Sequence, residues 1–183
     1  VLEIIIRNAQ RLKRLTDNLL DITKIESQSL MLNKEKFNLN ILISEVLKDY
    51  VHKQKNQKKV EIVYDFKHKA DTIIEADRDR LSQVIRNLLD NALKFTTTHN
   101  NQMIFVIIDK KNEGKEEVIV SVKDTGEGIS DKILSKLFTK FATSDSTTGT
   151  GLGLYICKKI IEAHGGRIWG VNNLDRKGAL FKF

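Results

Sequence analysis

Three stretches of this 183-residue chain carry side chains whose types and spacing could do chemistry. In "RNLLDNALKF" (86–95), Asn87, Asn91 and Lys94 fall on one flank of an apolar helical stripe at 100° per residue. Asn is a poor interior helix residue, by about 0.5–0.7 kcal/mol relative to Ala. Two of them four apart therefore call for a reason. Their amide oxygens could ligate a hard cation such as Mg²⁺, with Lys94 near phosphate as a point charge. A solvated helix face is the plainer alternative.

In "VIVSVKDTGEGIS" (118–130), Val118, Val120 and Val122 share a parity that continues to Asp124. Strict alternation aims Asp124 toward the buried side, where an unpaired carboxylate is costly. Ionised Asp only accepts hydrogen bonds, so a partner with an amino group, such as adenine N6, would satisfy it. Gly126 and Gly128 would let backbone approach a flat base. The competing interpretation is a strand end and glycine turn with Asp124 facing water; the parity favours the first.

In "TTGTGLGLYICKKIIEAHGG" (147–166), Gly149, Gly151 and Gly153 alternate and run into a helix carrying Leu154, Cys157, Ile161 and His164 at helical spacing. The pattern GxxxxGK[ST] is absent, and the spacing is wrong for GxGxxG. Glycines ahead of a helix can still form a nest of N–H groups that, with the helix dipole, holds phosphate oxygens. The polar stretch before it, "FATSDSTTGTG" (141–151), could fold over a nucleotide as a lid. An ordinary surface loop is the alternative.

These stretches need a scaffold, and the periodicities supply one. Residues 1 to about 28 read as one helix with Ile5, Leu12 and Leu19 every seven, and Leu15 and Ile22 at the intervening spacing. Asn8 is a polar residue in that second register, and Ile4, Ala9 and Ile25 broaden the stripe. Such a helix must pack on something, either its own domain or a helical bundle. Its start at Val1 lacks a capping signal, so the helix is expected to begin upstream. After the connection "SQSLMLNKEK", Asn38 or Asn40 could cap a helix over about 40–54. A strand follows at Val60–Phe66 and a short one near Thr72–Glu75. Asp77 then caps a helix to Phe95. "MIFVIID" and "EVIVSVK" read as a hairpin. A short helix near 131–137, a polar loop, a helix to about 164, and the strand pair "GRIWGVN" and "GALFKF" complete the chain. Strands paired between helices predict an α/β two-layer sandwich, a mixed sheet with helices on one face.

Composition bounds the rest. With 31 basic and 24 acidic residues the chain carries +7, concentrated in "KDYVHKQKNQKK" (48–59). That run could attract nucleic acid, but it lacks interleaved aromatics and any DNA-binding pattern, so a solvated basic surface is expected. A single Cys157 excludes an internal disulfide and a cysteine zinc cluster. On an apolar helix face it reads as a core hydrophobe. No signal-peptide pattern or membrane-length apolar run is present, and a reducing, cytoplasmic setting fits.

Taken in order, "NLLDNALKF", "DTGEGI", "LFTKF" and "GTGLGL" resemble the N, G1, F and G2 boxes of sensor histidine kinases. These belong to the Bergerat-fold ATPases, with type II topoisomerases and the heat-shock and mismatch-repair ATPases. The resemblance implies three parts: residues 1–28 as the second helix of the dimerisation bundle, 29–36 as a linker, and 37–183 as the ATP-binding catalytic domain. It implies Asn91 as principal Mg²⁺ ligand assisted by Asn87, and Lys94 on phosphate. Asp124 would read the adenine amino group, with Gly126 and Gly128 lining the base pocket. Phe138 and Phe141 would anchor the lid, and the run Gly149, Thr150, Gly151, Leu152 and Gly153 would hold the phosphates.

The implied activity is transfer of the ATP γ-phosphate to a histidine and thence to an aspartate of a response regulator, in a homodimer. Two departures stand out. The lid is short, and the phosphoacceptor box is missing: His52, His68, His99 and His164 all lack its context. The acceptor is expected upstream of Val1, as is any membrane attachment, and His164 is expected to be structural. Alternatives are a hydrolysing ATPase or protein-serine kinase of the same superfamily, or a non-catalytic nucleotide-binding assembly module. The superfamily's ATPases carry Glu where this chain has Asn87, which argues against hydrolysis.

Overall fold

The computed structural model describes residues 2–27, 29–57, 60–66, 71–96, 102–112, 116–143, 150–174 and 177–183. Within these, the side chains of residues 2–4, 7, 10, 11, 14, 52–57, 66, 112 and 116 are outside the description. Elements follow the order α1 (Leu2–Glu26), β1 (Lys34–Asn38), α2 (Leu39–Gln57), β2 (Glu61–Phe66), β3 (Ile73–Asp77), α3 (Arg78–Thr96), β4 (Met103–Asn112), β5 (Glu116–Asp124), α4 (Asp131–Leu134), α5 (Gly153–Ala163), β6 (Trp169–Asn172) and β7 (Ala179–Lys182).

The main sheet has five strands in the order β2-β4-β5-β7-β6. β2 runs parallel to β4 and the other pairs are antiparallel, so the sheet is mixed, as the alternation of elements predicts. Even-numbered residues Ile104, Val106, Ile108, Val120 and Val122 are buried, none above 3 % exposed. That single parity is one face of the sheet, and it meets the apolar stripe of α3 (Leu81, Val84, Ile85, Leu88, Leu89, Ala92) and of α5 (Ile156, Cys157, Ile160, Ile161). The result is two layers around one core.

Local chemistry sets the helix ends. Asp77 caps α3, its Oδ1 accepting from Arg80 N at 3.0 Å. Of the two candidate caps for α2, Asn38 performs the role, its Oδ1 accepting from Asn40 N at 2.9 Å. At the end of α5, Gly166 N donates to Ile161 O and Gly165 N to Glu162 O, with Gly165 at φ +82. This is a Schellman stop, which needs a residue free to turn left-handed. His164 is structural, as expected: its Nε2 accepts from Asp77 N at 3.0 Å while Nδ1 faces Ile160 O at 2.8 Å.

One strand lies where the sequence suggested only connection. β1, "KEKFN", pairs antiparallel with β3 in a separate two-stranded ribbon, Phe37 opposite Ile74. Its exposed, charged residues carry no apolar alternation to announce it. Asp77 ties the preceding segment in, since its Oδ2 accepts from Asn33 N at 2.9 Å.

α1 divides its heptad between two environments. Ile22 enters the core at 7 % exposure, whereas Ile5, Leu12 and Leu19 stand outward at 58 %, 63 % and 52 %. Its C-terminal half is seated on α3 by polar contacts: Asp21 Oδ1 accepts from Arg80 Nη1 at 2.7 Å and Oδ2 from Gln83 Nε2 at 2.6 Å. Glu26 pairs with Lys140. Both carboxylate oxygens of a nearly buried Asp21 are thus satisfied. Asp21→Ala is expected to cost roughly 1.5–3 kcal/mol, because it leaves Arg80 without its charge partner in a partly desolvated site. Amide hydrogen exchange should accelerate across residues 15–26 while α3 stays protected. Unchanged exchange in α1 would show that the Asp21 contacts do not seat the helix.

Candidate nucleotide site

The three stretches converge. A cavity of about 830 Å³ is lined by Asn87, Asn91 and Lys94 from α3, by Asp124 and Gly128 at the end of β5, and by Thr150, Gly151 and Gly153 at the start of α5. That volume suits a ligand of nucleotide size.

Asp124 is the residue that parity aimed inward, and it is 3 % exposed. Its Oδ1 accepts from Gly126 N at 2.9 Å and from Ala179 N at 3.1 Å. Burial raises its pKa above the ordinary 3.8, against the opposing pull of those two backbone donors. Gly126 is required by space: a Cβ there would lie 2.2 Å from Phe95 O. Gly128, at φ +79, sits on the cavity wall in a conformation that disfavours side chains.

On α3, Asn87 and Asn91 stand one turn apart on the cavity wall. Asn87 Nδ2 lies 3.6 Å from Cys157 Sγ, and a Cβ on Gly153 would come within 3.8 Å of Asn87 Oδ1. The amide of Asn87 therefore packs against the first residue of α5. Lys94 Nζ lies 4.6 Å from the Phe95 ring centroid. Cys157 is fully buried and its thiol is pushed up to about 12 by desolvation, as a core position requires.

The N-terminus of α5 has no side-chain cap, its N-cap position being Leu152. Leu152 itself is buried at 2 % and contributes backbone, its N donating to Thr150 Oγ1 at 3.2 Å. Gly151 (φ +66) stacks on the chain at Phe141, where a Cβ would meet Phe141 Cα at 2.6 Å. Both ends of the lid segment are thereby held side by side. Gly149 and residues 144–148 lie outside the described residues. Phe138 packs half-buried against the core, while the Phe141 side chain is 67 % exposed with its backbone at φ +63. Neither phenylalanine lines the cavity. His52, by its side chain, and His68 and His99 entirely, also lie outside the description, as does the basic run from residue 52 to 59.

Several contributors were not among the site residues picked out from the sequence. Asn8 and Asn18 of α1 reach the cavity. Asp90 lines it too, and the Tyr50 hydroxyl donates to Asp90 Oδ1 at 2.8 Å. Asn172, Asn173, Gly178 and Ala179 of the β6–β7 hairpin surround Asp124 and its loop. A paired Asn-Asn ahead of a Gly turn was the available hint.

Residues 76–183 match the family model described as histidine kinase-, DNA gyrase B- and HSP90-like ATPase. The chain belongs to that family. Within it, similarity runs to the histidine kinases. The catalytic domain of the histidine kinase ThkA is 36 % identical with a TM-score of 0.71, over 82 % of this chain and 93 % of that one. A structure of ThkA in complex with the response regulator TrrA is 31 % identical with a TM-score of 0.73, over 96 % and 48 %. The sensor protein KdpD of Clostridium acetobutylicum is 38 % identical over 98 % of this chain. The chain spans only 19 % of that protein's length. The fold and family are those of a histidine-kinase ATP-binding catalytic domain, preceded by a helix. Among the described residues no helix is long and apolar enough to cross a membrane.

The buried carboxylate generates a pH prediction. In the folded state Asp124 keeps its proton to higher pH than in the unfolded chain. Its contribution is therefore present below pH 3.8 and falls as pH rises through the raised folded value. Asn at this position has no charge to desolvate. The stability of wild type relative to Asp124→Asn should fall as pH rises above 3.8, read from urea midpoints. A gap independent of pH would mean the carboxylate is not desolvated.

Proposed function

We propose that this chain binds Mg·ATP and serves as the phosphoryl-donating part of a dimeric sensor histidine kinase. The observation carrying this reading is one cavity that joins a buried acceptor-only carboxylate to an uncapped helix N-terminus through two helix amides. Both hydrogen bonds to Asp124 fall on Oδ1. Its other oxygen is the group that would take the adenine amino hydrogen, and guanine, with a carbonyl there, would be rejected. Gly126 and Gly128 would flank the base, and Phe138 and Phe141 would carry the lid. The amides of Thr150, Gly151 and Gly153, with the α5 dipole and Gly149, would hold the phosphates, and Leu152, whose N donates to Thr150 Oγ1, would shape the turn that presents them.

The donor set fits Mg²⁺. Amide oxygens of Asn91 and Asn87 are hard ligands, and no group of three His, Cys, Asp or Glu forms a cage among the described residues. Mg²⁺ held by one or two protein oxygens plus phosphates has that requirement. When bound, the ion would neutralise charge on the β- and γ-phosphates. The protein's part is positioning: Asn87 bridges toward Gly153, Lys94 adds positive charge, and Asp124 fixes the base end. A general base is not assigned among these residues; by resemblance it would be the acidic neighbour of the acceptor histidine.

In the whole protein the γ-phosphate would pass to a histidine on the bundle helix outside this sequence, then to a response-regulator aspartate. That ThkA was crystallised with TrrA supports this partner class. Residues 1–28 would be the second bundle helix, 29–36 the linker and 37–183 the catalytic domain. The outward Ile5, Leu12 and Leu19 stripe is what a homodimeric bundle would cover. The site faces a cytoplasmic nucleotide pool on this reading.

Calorimetric titration with ATP and GTP, with and without Mg²⁺, tests it. ATP should bind and GTP should not. Asn91→Ala should reduce ATP affinity to the level seen without Mg²⁺ and abolish phosphorylation of an added histidine-bearing bundle. Undiminished transfer by Asn91→Ala would sink the metal assignment. Phosphate release by the isolated chain would instead favour a hydrolysing ATPase.

A further inference from the structure

We infer that Asn172 is a specificity-determining positioning residue, whose amide clamps the backbone of Ile129 and thereby sets the base-reading loop against Asp124. This rests on the adenine reading above and extends it to a hairpin 43 residues further along the chain.

Asn172 ends β6, and its side chain grips one residue twice. Oδ1 accepts from Ile129 N at 2.6 Å, and Nδ2 donates to Ile129 O at 2.8 Å. Only an amide of this length offers a donor and an acceptor to the N–H and C=O of a single residue; Asp lacks the donor, and Ser has one group rather than two. The grip falls next to Gly128, whose left-handed φ of +79 carries the chain past the cavity. A Cβ on Gly128 would lie 2.9 Å from Asn172 Oδ1, so the clamp and the glycine fit one another. Gly128 and Ile129 both line the cavity, whereas Asn172 does not. It acts through them.

The same hairpin fixes the carboxylate. Asn173 Nδ2 donates to Asp124 O at 2.9 Å and to Lys177 O at 2.6 Å. Gly178, at φ +85, approaches so closely that a Cβ would stand 1.9 Å from Asp124 O. Ala179 N then donates to Asp124 Oδ1 at 3.1 Å. Thus Asp124 and the Gly128–Ile129 wall are referenced to one strand pair, β6 and β7, and their separation is set by Asn172 and Asn173 together. A recognising carboxylate discriminates only if the opposite wall holds the base in register with it.

The side chain of Asn172 is dispensable for the hairpin. Asn172 pairs with Ala179 through backbone within the β6–β7 ladder, and that pairing does not use the side-chain amide. Truncation should therefore release the loop while leaving the strands in place.

The test uses the full chain as wild type, Asn172→Ala, Asn172→Asp and Asn172→Ser. Each is titrated calorimetrically with ATP and with ITP, which carries a carbonyl where adenine has its amino group, and thermal melting is recorded in parallel. Wild type should prefer ATP. Asn172→Ala should lose ATP affinity by roughly tenfold, the scale of one to two hydrogen bonds, while ITP affinity holds and the ATP/ITP ratio contracts. Asn172→Asp should contract it as well, because its second oxygen opposes the Ile129 carbonyl. Asn172→Ser, whose hydroxyl is one bond too short to span the clamp, covers the case in which the alanine variant melts too early; it should show the same contraction. A folded variant set with the wild-type ratio overturns the inference. So does an equal loss for both nucleotides tracking a fall in melting temperature, which would be a structural role. Absence of any ATP preference in wild type overturns the adenine reading itself, before any variant is considered.

Discussion

The arrangement depends on keeping one carboxylate buried. Asp124 ends a strand whose inward face carries Val118, Val120 and Val122 before it, and a charge in such a place is tolerated only where donors meet it. The donors here are backbone N–H groups of Gly126 and Ala179, which cannot be lost by side-chain rotation. Supplying them constrains three chain segments at once. The β5–α4 loop must double back under Phe95 O, β7 must arrive in register, and the turn before it must pass within contact of the Asp124 carbonyl. Glycine at 126 and 178 is the price of those approaches.

From this constraint the rest of the cavity follows. α3 lies over the sheet because its apolar face is continuous with the core, and the same packing brings its polar flank to the mouth of the site. Asn87 and Asn91 are poor helix residues on that flank, and their helix cost is small beside the burial of Leu88 and Leu89 between them, both 0 % exposed. α5 packs on α3 through Cys157, which places the start of α5 beside Asn87. A helix N-terminus left without a side-chain cap retains its donors for a ligand. The Asp124 end of the cavity and the start of α5 are thus fixed to one core, at a distance set by helix and strand packing.

The connection between this core and α1 is of a different kind. Ile22 supplies a modest apolar contact, and Asp21 with Arg80 and Gln83 supplies a directional one. The outward residues Ile5, Leu12 and Leu19 make no use of the core. Among the described residues, these directional contacts gather in the C-terminal half of α1. Because Asn8 and Asn18 line the cavity, movement of α1 would alter one of its walls.

The sequence by itself determined what depends on neighbours three or four residues apart. The apolar stripes of α3 and α5, the Asp77 cap, the β4–β5 hairpin and the inward parity of Asp124 are local periodicities, and each appears where the spacing put it. The four motif stretches were legible through their resemblance to the boxes of sensor histidine kinases, in the same order along the chain. Tertiary structure alone decided which distant segments meet. β1 has no apolar alternation, and only pairing with β3 makes it a strand. The two registers of the α1 heptad are equivalent on paper, and the core selected Ile22 over Leu19. The Asn172 and Asn173 contacts join residues 43 and 49 apart, created when β7 closed beside β5. No periodicity encodes such contacts. They arise from strand register, which side-chain burial across the whole sheet settles collectively.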